Sequence, residues 1–370
     1  MENENRGRIL VLANMYPSKK YPFYGVFVQN TNRILENAGY EVNTVAVTKT
    51  TSKLLRVWKY FLYFFRVIFN IVFVKNDLVY VHYPAFSAIP LAFIPRMKYK
   101  LIVNIHGNDL VPEESKDKVF LHFTDIAVEK ADYIILPSFY FKRVFQGKYP
   151  TFPSKNIFIS PSGGVDRKLF KHEQKGAAKK KIGVSTDFQY IGFVSRIEKN
   201  KGWDMFVKMI SIIRSALPGY RFIIVGSGSE EKKLEEMIRE KKLDDVVIKY
   251  DYLSHDDLVN VFNAIDILCF PSLRKSESLG LVGLEAMACK TIVISSSGTG
   301  PESYIENNVS GFIVQNLSAR ALADEVIKIT RMPEKLKFEI QTNAAKHTEM
   351  YAMDEVATKL TSFINLICKI

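Results

Sequence analysis

The sequence predicts an α/β protein in which one kind of open, parallel sheet is built twice. Three observations carry this. Short β-branched runs alternate with segments long enough for crossover helices. Several of those runs are apolar almost throughout, as expected for strands covered on both faces. The alternation also breaks at a basic stretch and then restarts. A chain of 370 residues is too long for one ordinary core and suits two domains.

In the first half, strands are expected at residues 8–13, 42–47, 78–81, 100–105, 133–136 and 157–159. The basic stretch from Arg167 to Lys181 contains Lys179, Lys180 and Lys181 and has little apolar periodicity. It reads as a linker between domains. Strands are expected again at 189–194, 221–225, 246–250, 267–269, 291–294 and 311–314, with helices near 203–215, 230–241, 256–264, 280–287 and 318–330. Helical segments close the chain from Pro333. The expected division is 1–165, a linker at 166–185, a second domain at 186–345, and a helix at 346–370 that packs back on the first domain. Ligands of such sheets bind outside the carboxyl ends of the strands, so both halves should face a shared cleft.

Composition narrows the function classes. Hydrophobic residues make up 47% and charged residues 24%, which excludes a disordered chain. Fifty-one basic against 39 acidic residues give a net charge of +12, which suits an anionic partner such as a sugar nucleotide, an anionic lipid or a nucleic acid. Cys269, Cys289 and Cys368 have no metal-ligand spacing and read as reduced thiols. The polar start, Met1 to Arg8, leads straight into a strand, so no signal peptide is expected and the active site should face the cytosol.

Residues 53–74 stand apart. Arg56, Lys59, Tyr63, Arg66 and Asn70 are spaced 3, 4, 3 and 4, on one narrow helical stripe, and the rest is mostly apolar or aromatic. Three readings stand: a buried helix with one wet edge, an interfacial helix on an anionic membrane, and a membrane span, which Lys59 and Arg66 would interrupt. The proportions of basic and aromatic residues fit lipid or core better than nucleic acid.

The chemistry is concentrated at 267–285, ILCFPSLRKSESLGLVGLE. An apolar strand ends at Phe270, a loop carries Glu277, and a helix opens near Gly280 with Glu285 inside it. Free amides at a helix opening, together with its dipole, form an anion site. Glycine at 280 lets a ligand approach the backbone. Such a layout can hold a diphosphate at those amides, a sugar hydroxyl on Glu277 and a ribose diol on Glu285. Two solvated surface glutamates are the plain alternative, but Leu284, Ala286 and Met287 around Glu285 are a poor setting for solvation. A second stretch, Gly192 to Gly202, follows a strand and carries Arg196 and Lys201, cations that could converge on a leaving diphosphate without a metal. Gly226-Ser227-Gly228 is too short a signal for a dinucleotide site and reads as a tight turn. No Asp-x-Asp motif stands at a strand end; Asp244-Asp245 and Asp256-Asp257 read as a turn and a helix start.

Glu277 and Glu285, with seven residues between them in SESLGLVGLEAMACKTIVIS, resemble the Glu-x7-Glu motif of glycosyltransferase family 4, of the GT-B fold. Ser278 and Leu279 stand where the family usually has glycine and phenylalanine. The stretch through Arg196 and Lys201 resembles the family's strand-Gly-x-x-x-Arg and Lys-Gly element. Gly25, within Tyr24-Gly25-Val26-Phe27, resembles the N-terminal glycine loop, and His106-Gly107 the His-Gly element near the transferred sugar. Residues 161–170 resemble the hinge element and 296–302 the loop that closes over the donor. The resemblance implies two facing Rossmann-like domains with a deep cleft, an acceptor domain followed by a donor domain. It also implies a retaining transfer from a nucleotide-diphosphate sugar, with no cofactor and no metal. Glu277, His106, Arg196 and Lys201 are then the catalytic candidates. Gly25, Gly280, Leu281, Val282 and Glu285 bind donor, with Glu277, Arg196 and Lys201. The implied partners are a sugar nucleotide and a glycan or lipid-linked glycan acceptor of bacterial surface polysaccharide or glycolipid synthesis. The interfacial reading of 53–74 adds an anionic membrane surface, with the protein peripheral on the inner face of the plasma membrane. Nucleic acid is not expected. Rivals are a sugar-nucleotide epimerase or phosphorylase on the same architecture, and a non-catalytic sugar-nucleotide-binding protein.

Overall fold

A computed structural model describes residues 6–22 and 24–368, with Lys116 described by its backbone alone. Met1 to Asn5 of the polar start, Phe23 within the glycine loop, and Lys369 and Ile370 of the closing helix lie outside the described residues. The chain divides into two units. One ends at Gly163 and takes up the chain again from Asp354; the other is Gly164–Met353.

The first unit is built on β1 (Arg8–Tyr16), β2 (Glu41–Thr48), β3 (Leu78–His82), β4 (Lys100–Asn104), β5 (Tyr133–Leu136) and β6 (Ile157–Ile159). Its helices are α1 (Val26–Asn37), α2 (Lys53–Phe73), α3 (Pro84–Ser87), α4 (Ser115–Lys130) and α5 (Phe139–Lys148). The second unit holds β7 (Gln189–Val194), β8 (Tyr220–Val225), β9 (Val247–Tyr250), β10 (Ile267–Phe270), β11 (Ile292–Ser296) and β12 (Phe312–Val314). Its helices are α6 (Lys175–Lys181), α7 (Trp203–Ile213), α8 (Glu231–Glu240), α9 (His255–Ala264), α10 (Leu281–Ala288), α11 (Ala319–Thr330) and α12 (Glu334–His347). The closing helix, α13 (Met353–Cys368), packs on the first unit.

Both sheets are parallel and six-stranded, in the orders β2-β1-β3-β4-β5-β6 and β12-β11-β10-β7-β8-β9. In each, the first strand lies inside the sheet, and the chain winds to one side of it before crossing to the other. The reversal creates a topological switch point between β1 and β3 and another between β7 and β10. In sheets of this kind ligands bind at such a point, outside the carboxyl ends of the strands. Strand cores such as Ile9 to Ala13 and Phe222 to Ile224 are fully buried because helices cover both faces.

Three expectations change. Residues 166–185 are not a free linker: α6 lies in this stretch and belongs to the second unit. Lysine stems are apolar and pack while their ammonium groups find partners. Here Lys179 is buried with its Nζ on the Phe188 carbonyl at 2.6 Å, and Lys175 pairs with Asp266 at 2.5 Å. The return to the first unit comes at Asp354 rather than 346, because α12 buries Ile340 and Ala344 in the second unit's cores. Helix α2 is not a buried helix with a wet edge. Tyr63, Val67 and Ile71 pack inward, Tyr63 donating to the Ser87 carbonyl at 2.8 Å, and Lys59 and Asn70 bond to Thr48 and Asn43. The aromatic face points out: Trp58, Phe61, Phe65, Phe69 and Phe73 are each at least half exposed. Among the described residues no helix is long and apolar enough to cross a membrane.

Candidate active site

The second unit places the loops after β7 and β10 on either side of its switch point, and these two loops carry most of the candidate residues. They are zipped together by backbone. The Leu273 amide donates to the Asn200 carbonyl at 2.8 Å, and Gly202 lies so close under Pro271 that a Cβ there would meet its carbonyl oxygen at 1.9 Å. Gly226-Ser227-Gly228, after β8, is a packing turn. A Cβ on Gly226 would meet the Ser195 carbonyl oxygen at 1.8 Å, and the Ser227 carbonyl accepts the Ile197 amide at 2.9 Å. These close approaches hold the Arg196 loop against the sheet edge.

Lys201 and Glu277 form an ion pair, Nζ to Oε2 2.5 Å, with side chains only 11% and 15% exposed. Ser272 Oγ donates to the same oxygen at 3.3 Å. A pair this sheltered from solvent keeps much of its Coulomb energy, and losing either partner strands a charge. Arg196 is different: it is 64% exposed and pairs with Glu198 at 2.7 Å. Glu198 also meets Arg274 at 3.4 Å. The two β-end loops therefore exchange two sets of charged contacts, Lys201 with Glu277 and Glu198 with Arg274.

Helix α10 begins beyond Gly280, whose φ of 79° is left-handed and suits glycine. A Cβ there would also meet Phe270 at 2.9 Å. Leu281 and Val282 open the helix, so their N–H groups have no intrahelical carbonyl to meet, and the positive end of the dipole adds to them. Tyr304 seats this helix from behind, its hydroxyl donating to the Gly280 carbonyl at 2.8 Å. The loop after β11 joins in: the Gly300 amide donates to the Glu277 carbonyl at 2.7 Å, and Ser296 Oγ bonds the Ser272 carbonyl. Glu285 sits on the second turn of α10, and among the described residues no hydrogen bond or ion pair meets its carboxyl. Burial pushes that carboxyl up to about 7.

Gly25 and His106 belong to the first unit. Gly25, φ 81°, caps α1 at the β1 end, where a Cβ would meet the Met15 backbone at 2.7 Å. His106 follows β4. Its turn is held by the buried Asp109, which accepts the amides of His106 at 2.9 Å and Gly107 at 2.6 Å. Burial raises Asp109 to about 7 against the lowering effect of those amides. The His106 ring lies 4.2 Å from Phe27 and lines a small cavity with Thr31, Asn104, Ser160 and Ser162. Its Nε2 is 3.0 Å from Nδ1 of His82, at the end of β3. Burial holds His106 down to about 3 and His82 well below the ordinary imidazole value, with the facing His106 ring adding to the latter. With both rings neutral, one of the two facing nitrogens donates its N–H to the other.

The structure thus gathers Arg196, Lys201, Glu277, Gly280, Leu281, Val282 and Glu285 on one sheet edge, and Gly25 and His106 on the corresponding edge of the other unit. Sequence reasoning missed Glu198, Arg274, Tyr304 and His82. Glu198 had a signal, an acid between two candidate cations; His82 ends an apolar strand and had none. Among the described residues no three His, Cys, Asp or Glu side chains form a group that could hold a metal ion.

Residues 174–347 match the family described as "Glycosyl transferases group 1". D-inositol 3-phosphate glycosyltransferase of Saccharomonospora viridis is 30% identical over 213 residues, 55% of this chain and 48% of that protein. The enzyme of the same name from Mycolicibacterium smegmatis is 32% identical over 197 residues, 52% of this chain and 44% of its own. The chain spans about half the length of the curated relatives it matches. Among solved structures, sucrose-phosphate synthase from Thermosynechococcus elongatus superposes with a TM-score of 0.79 at 18% identity, covering 97% of this chain and 98% of the other. Anabaena HepE in complex with UDP and glucose gives 0.72 at 16% identity, covering 97% and 100%. WaaG, a glycosyltransferase involved in lipopolysaccharide biosynthesis, gives 0.71 at 15%, covering 96% and 99%. The chain has the GT-B fold, and its second unit carries the segment that matches the group 1 glycosyl transferases.

Proposed function

We propose that this protein is a retaining, metal-independent glycosyltransferase. It moves a hexose or N-acetylhexosamine from a nucleotide-diphosphate sugar to a lipid-linked glycan in bacterial cell-surface polysaccharide synthesis, working at the cytoplasmic face of the membrane. The observation that carries this is the sheet edge of the second unit, where Lys201, Arg196 and the first amides of α10 flank one switch point. A leaving diphosphate gathers negative charge as the glycosidic bond breaks, and preoriented cations and amides lower that barrier without reorganising. Glu285 then takes the ribose diol and Glu277 a hydroxyl of the transferred sugar. Lys201 holds Glu277 in place before donor arrives and turns to the phosphate when it does. The anomeric carbon gains oxocarbenium character, the acceptor hydroxyl attacks the same face, and the released phosphate oxygen takes its proton. His106, in the first unit, is a further candidate for a sugar contact. UDP and glucose bound to Anabaena HepE support a UDP-sugar donor.

A second acceptor has an observation in its favour: relatives named D-inositol 3-phosphate glycosyltransferase point to a small phosphorylated polyol. Transfer of radiolabelled sugar to lipid extract and to inositol phosphate, side by side, separates the two. For the donor site, Lys201→Met and Glu277→Gln are each expected to lower turnover about 10²-fold or more. Each also loses roughly 3 kcal/mol of stability from the stranded charge. The double variant should regain the stability and not the turnover. Full turnover of Glu277→Gln, or abolition of wild-type turnover by EDTA, would overturn the assignment.

A further inference from the structure

We propose that the outward face of α2, with Phe93 and the basic hollow at the helix's C-terminal end, is an in-plane docking surface for an anionic bilayer, and that lipid phosphates sit in the hollow. The inference rests on the membrane-side reading above and deepens it by naming the surface and the headgroup chemistry.

Trp58, Phe61, Phe65, Phe69 and Phe73 recur every three or four residues and form one stripe about 22 Å long. The rings touch along it: Trp58 stacks on Phe61 at 5.4 Å, Phe61 lies 4.7 Å from Phe65, and Phe69 lies 5.5 Å from Phe73. Phe93, 65% exposed, joins through Phe64 at 5.2 Å, so the patch spans two segments of the first unit. Contiguous exposed apolar area of this kind marks a surface that something covers. The helix is inverted relative to a globular surface helix. Its polar positions Lys59 and Asn70 face the body beside Tyr63, while Trp58, Phe61, Phe65, Phe69 and Phe73 face out.

Charge decides what covers it. From Lys49 to Lys75 there are six basic residues and no acidic one. A second copy of the chain seated on this face by a twofold axis would bring these cations against their equivalents. An anionic bilayer answers both the apolar stripe and the charge. Where the helix ends, Pro95, Arg96, Met97, Lys98, Lys100 and Lys130 line a hollow of about 410 Å³ whose lining carries one acid, Asp132. The ammonium groups are held in place: Lys98 on the Val72 carbonyl at 3.4 Å, Lys100 on Ile367 at 2.8 Å and Lys130 on Ile94 at 2.7 Å. Each ammonium has three N–H groups, so donors remain for phosphate oxygens. The hollow adjoins the C-terminal end of the helix, since Lys98 and Tyr99 of its lining donate to the Val72 and Val74 carbonyls.

The test is flotation of the full chain with phosphatidylglycerol vesicles and with phosphatidylcholine vesicles. One variant carries Phe61→Ser, Phe65→Ser and Phe69→Ser; the other carries Arg96→Gln and Lys98→Gln. All replace exposed side chains, and thermal melts within a few degrees of wild type confirm the fold. Wild type is expected to float, with preference for phosphatidylglycerol. The serine variant should lose binding to both vesicles, and the glutamine variant should lose about thirtyfold on phosphatidylglycerol alone. Unchanged binding by the serine variant overturns the docking surface. Unchanged preference in the glutamine variant overturns the headgroup hollow. A wild-type dimer in solution that the serine variant abolishes assigns the face to a second copy instead. Nucleotide-sugar binding by the same proteins is measured in parallel, so failure to float with intact donor binding sinks this surface and leaves the transferase reading standing.

Discussion

Glu285 is a carboxyl held in a costly setting. Its carboxyl has no partner among the described residues, and burial raises it to about 7. The sign follows from proton binding. Between the unfolded value near 4.5 and about 7 the native state holds more protons than the unfolded chain, so Glu285 costs stability as pH rises through that window. Glu285→Gln removes the ionisation. It is expected to raise thermal stability above pH 7, by up to about 3 kcal/mol if the full shift is recovered, and to leave stability at pH 4 nearly unchanged. The same variant should weaken binding of a nucleotide with a free ribose diol and spare its pH 4 melt. A variant less stable than wild type at pH 8 would contradict this account. Lys201 and Glu277 carry the opposite logic, since each supplies the partner the other needs.

At the scale of elements, α10 is positioned by contacts that leave little slack. A Cβ on Gly283 would lie 2.2 Å from the Tyr304 hydroxyl oxygen, which bonds the Gly280 carbonyl. Alanine is ordinarily the better helix former by about 1 kcal/mol, so the packing clash must outweigh it for the sign to reverse. Gly283→Ala is expected to cost about 2 kcal/mol and to raise the donor KM, because the helix opening moves with Tyr304. With Tyr304→Phe in the background the oxygen is gone and the nearest ring carbon stands at 3.2 Å. The alanine should then cost markedly less. A double-mutant cycle on chemical denaturation checks this, and additive losses would show that the contact does not seat the helix.

For the whole molecule, the chain leaves the first unit at Gly163 and returns at Asp354. Helix α13 completes the first unit's core, Leu360, Ile364 and Ile367 packing with Ile9, Val11 and Tyr80, and Phe363 stacking on Phe158 at 4.3 Å. Truncation after Met353 should therefore unfold the first unit and spare the second. Calorimetry is expected to show loss of one transition while that of Gly164–Met353 persists. Retention of both transitions would mean that the first unit stands without α13.

Much of this was legible in the chain. Apolar runs such as Ile9 to Ala13 announce buried parallel strands because backbone hydrogen bonding and side-chain burial are set over a few residues. The restart at Gln189 announces a second sheet for the same reason. Gly280 before Leu281 announces a helix opening, since a left-handed turn and free amides are local properties. Through-space pairing was not legible. No spacing shows that Lys201 would meet Glu277, that His106 would face His82, or that Glu198 would join Arg196 to Arg274. Those contacts depend on which strands become neighbours, and β7 beside β10 is a choice made by the winding of the sheet. The same holds for α2. Periodicity separated its polar stripe from its aromatic face, but which of the two turned toward the protein was settled by Tyr63, Val67 and Ile71 packing on the first unit, with Asn43 and Thr48 waiting for the polar side chains.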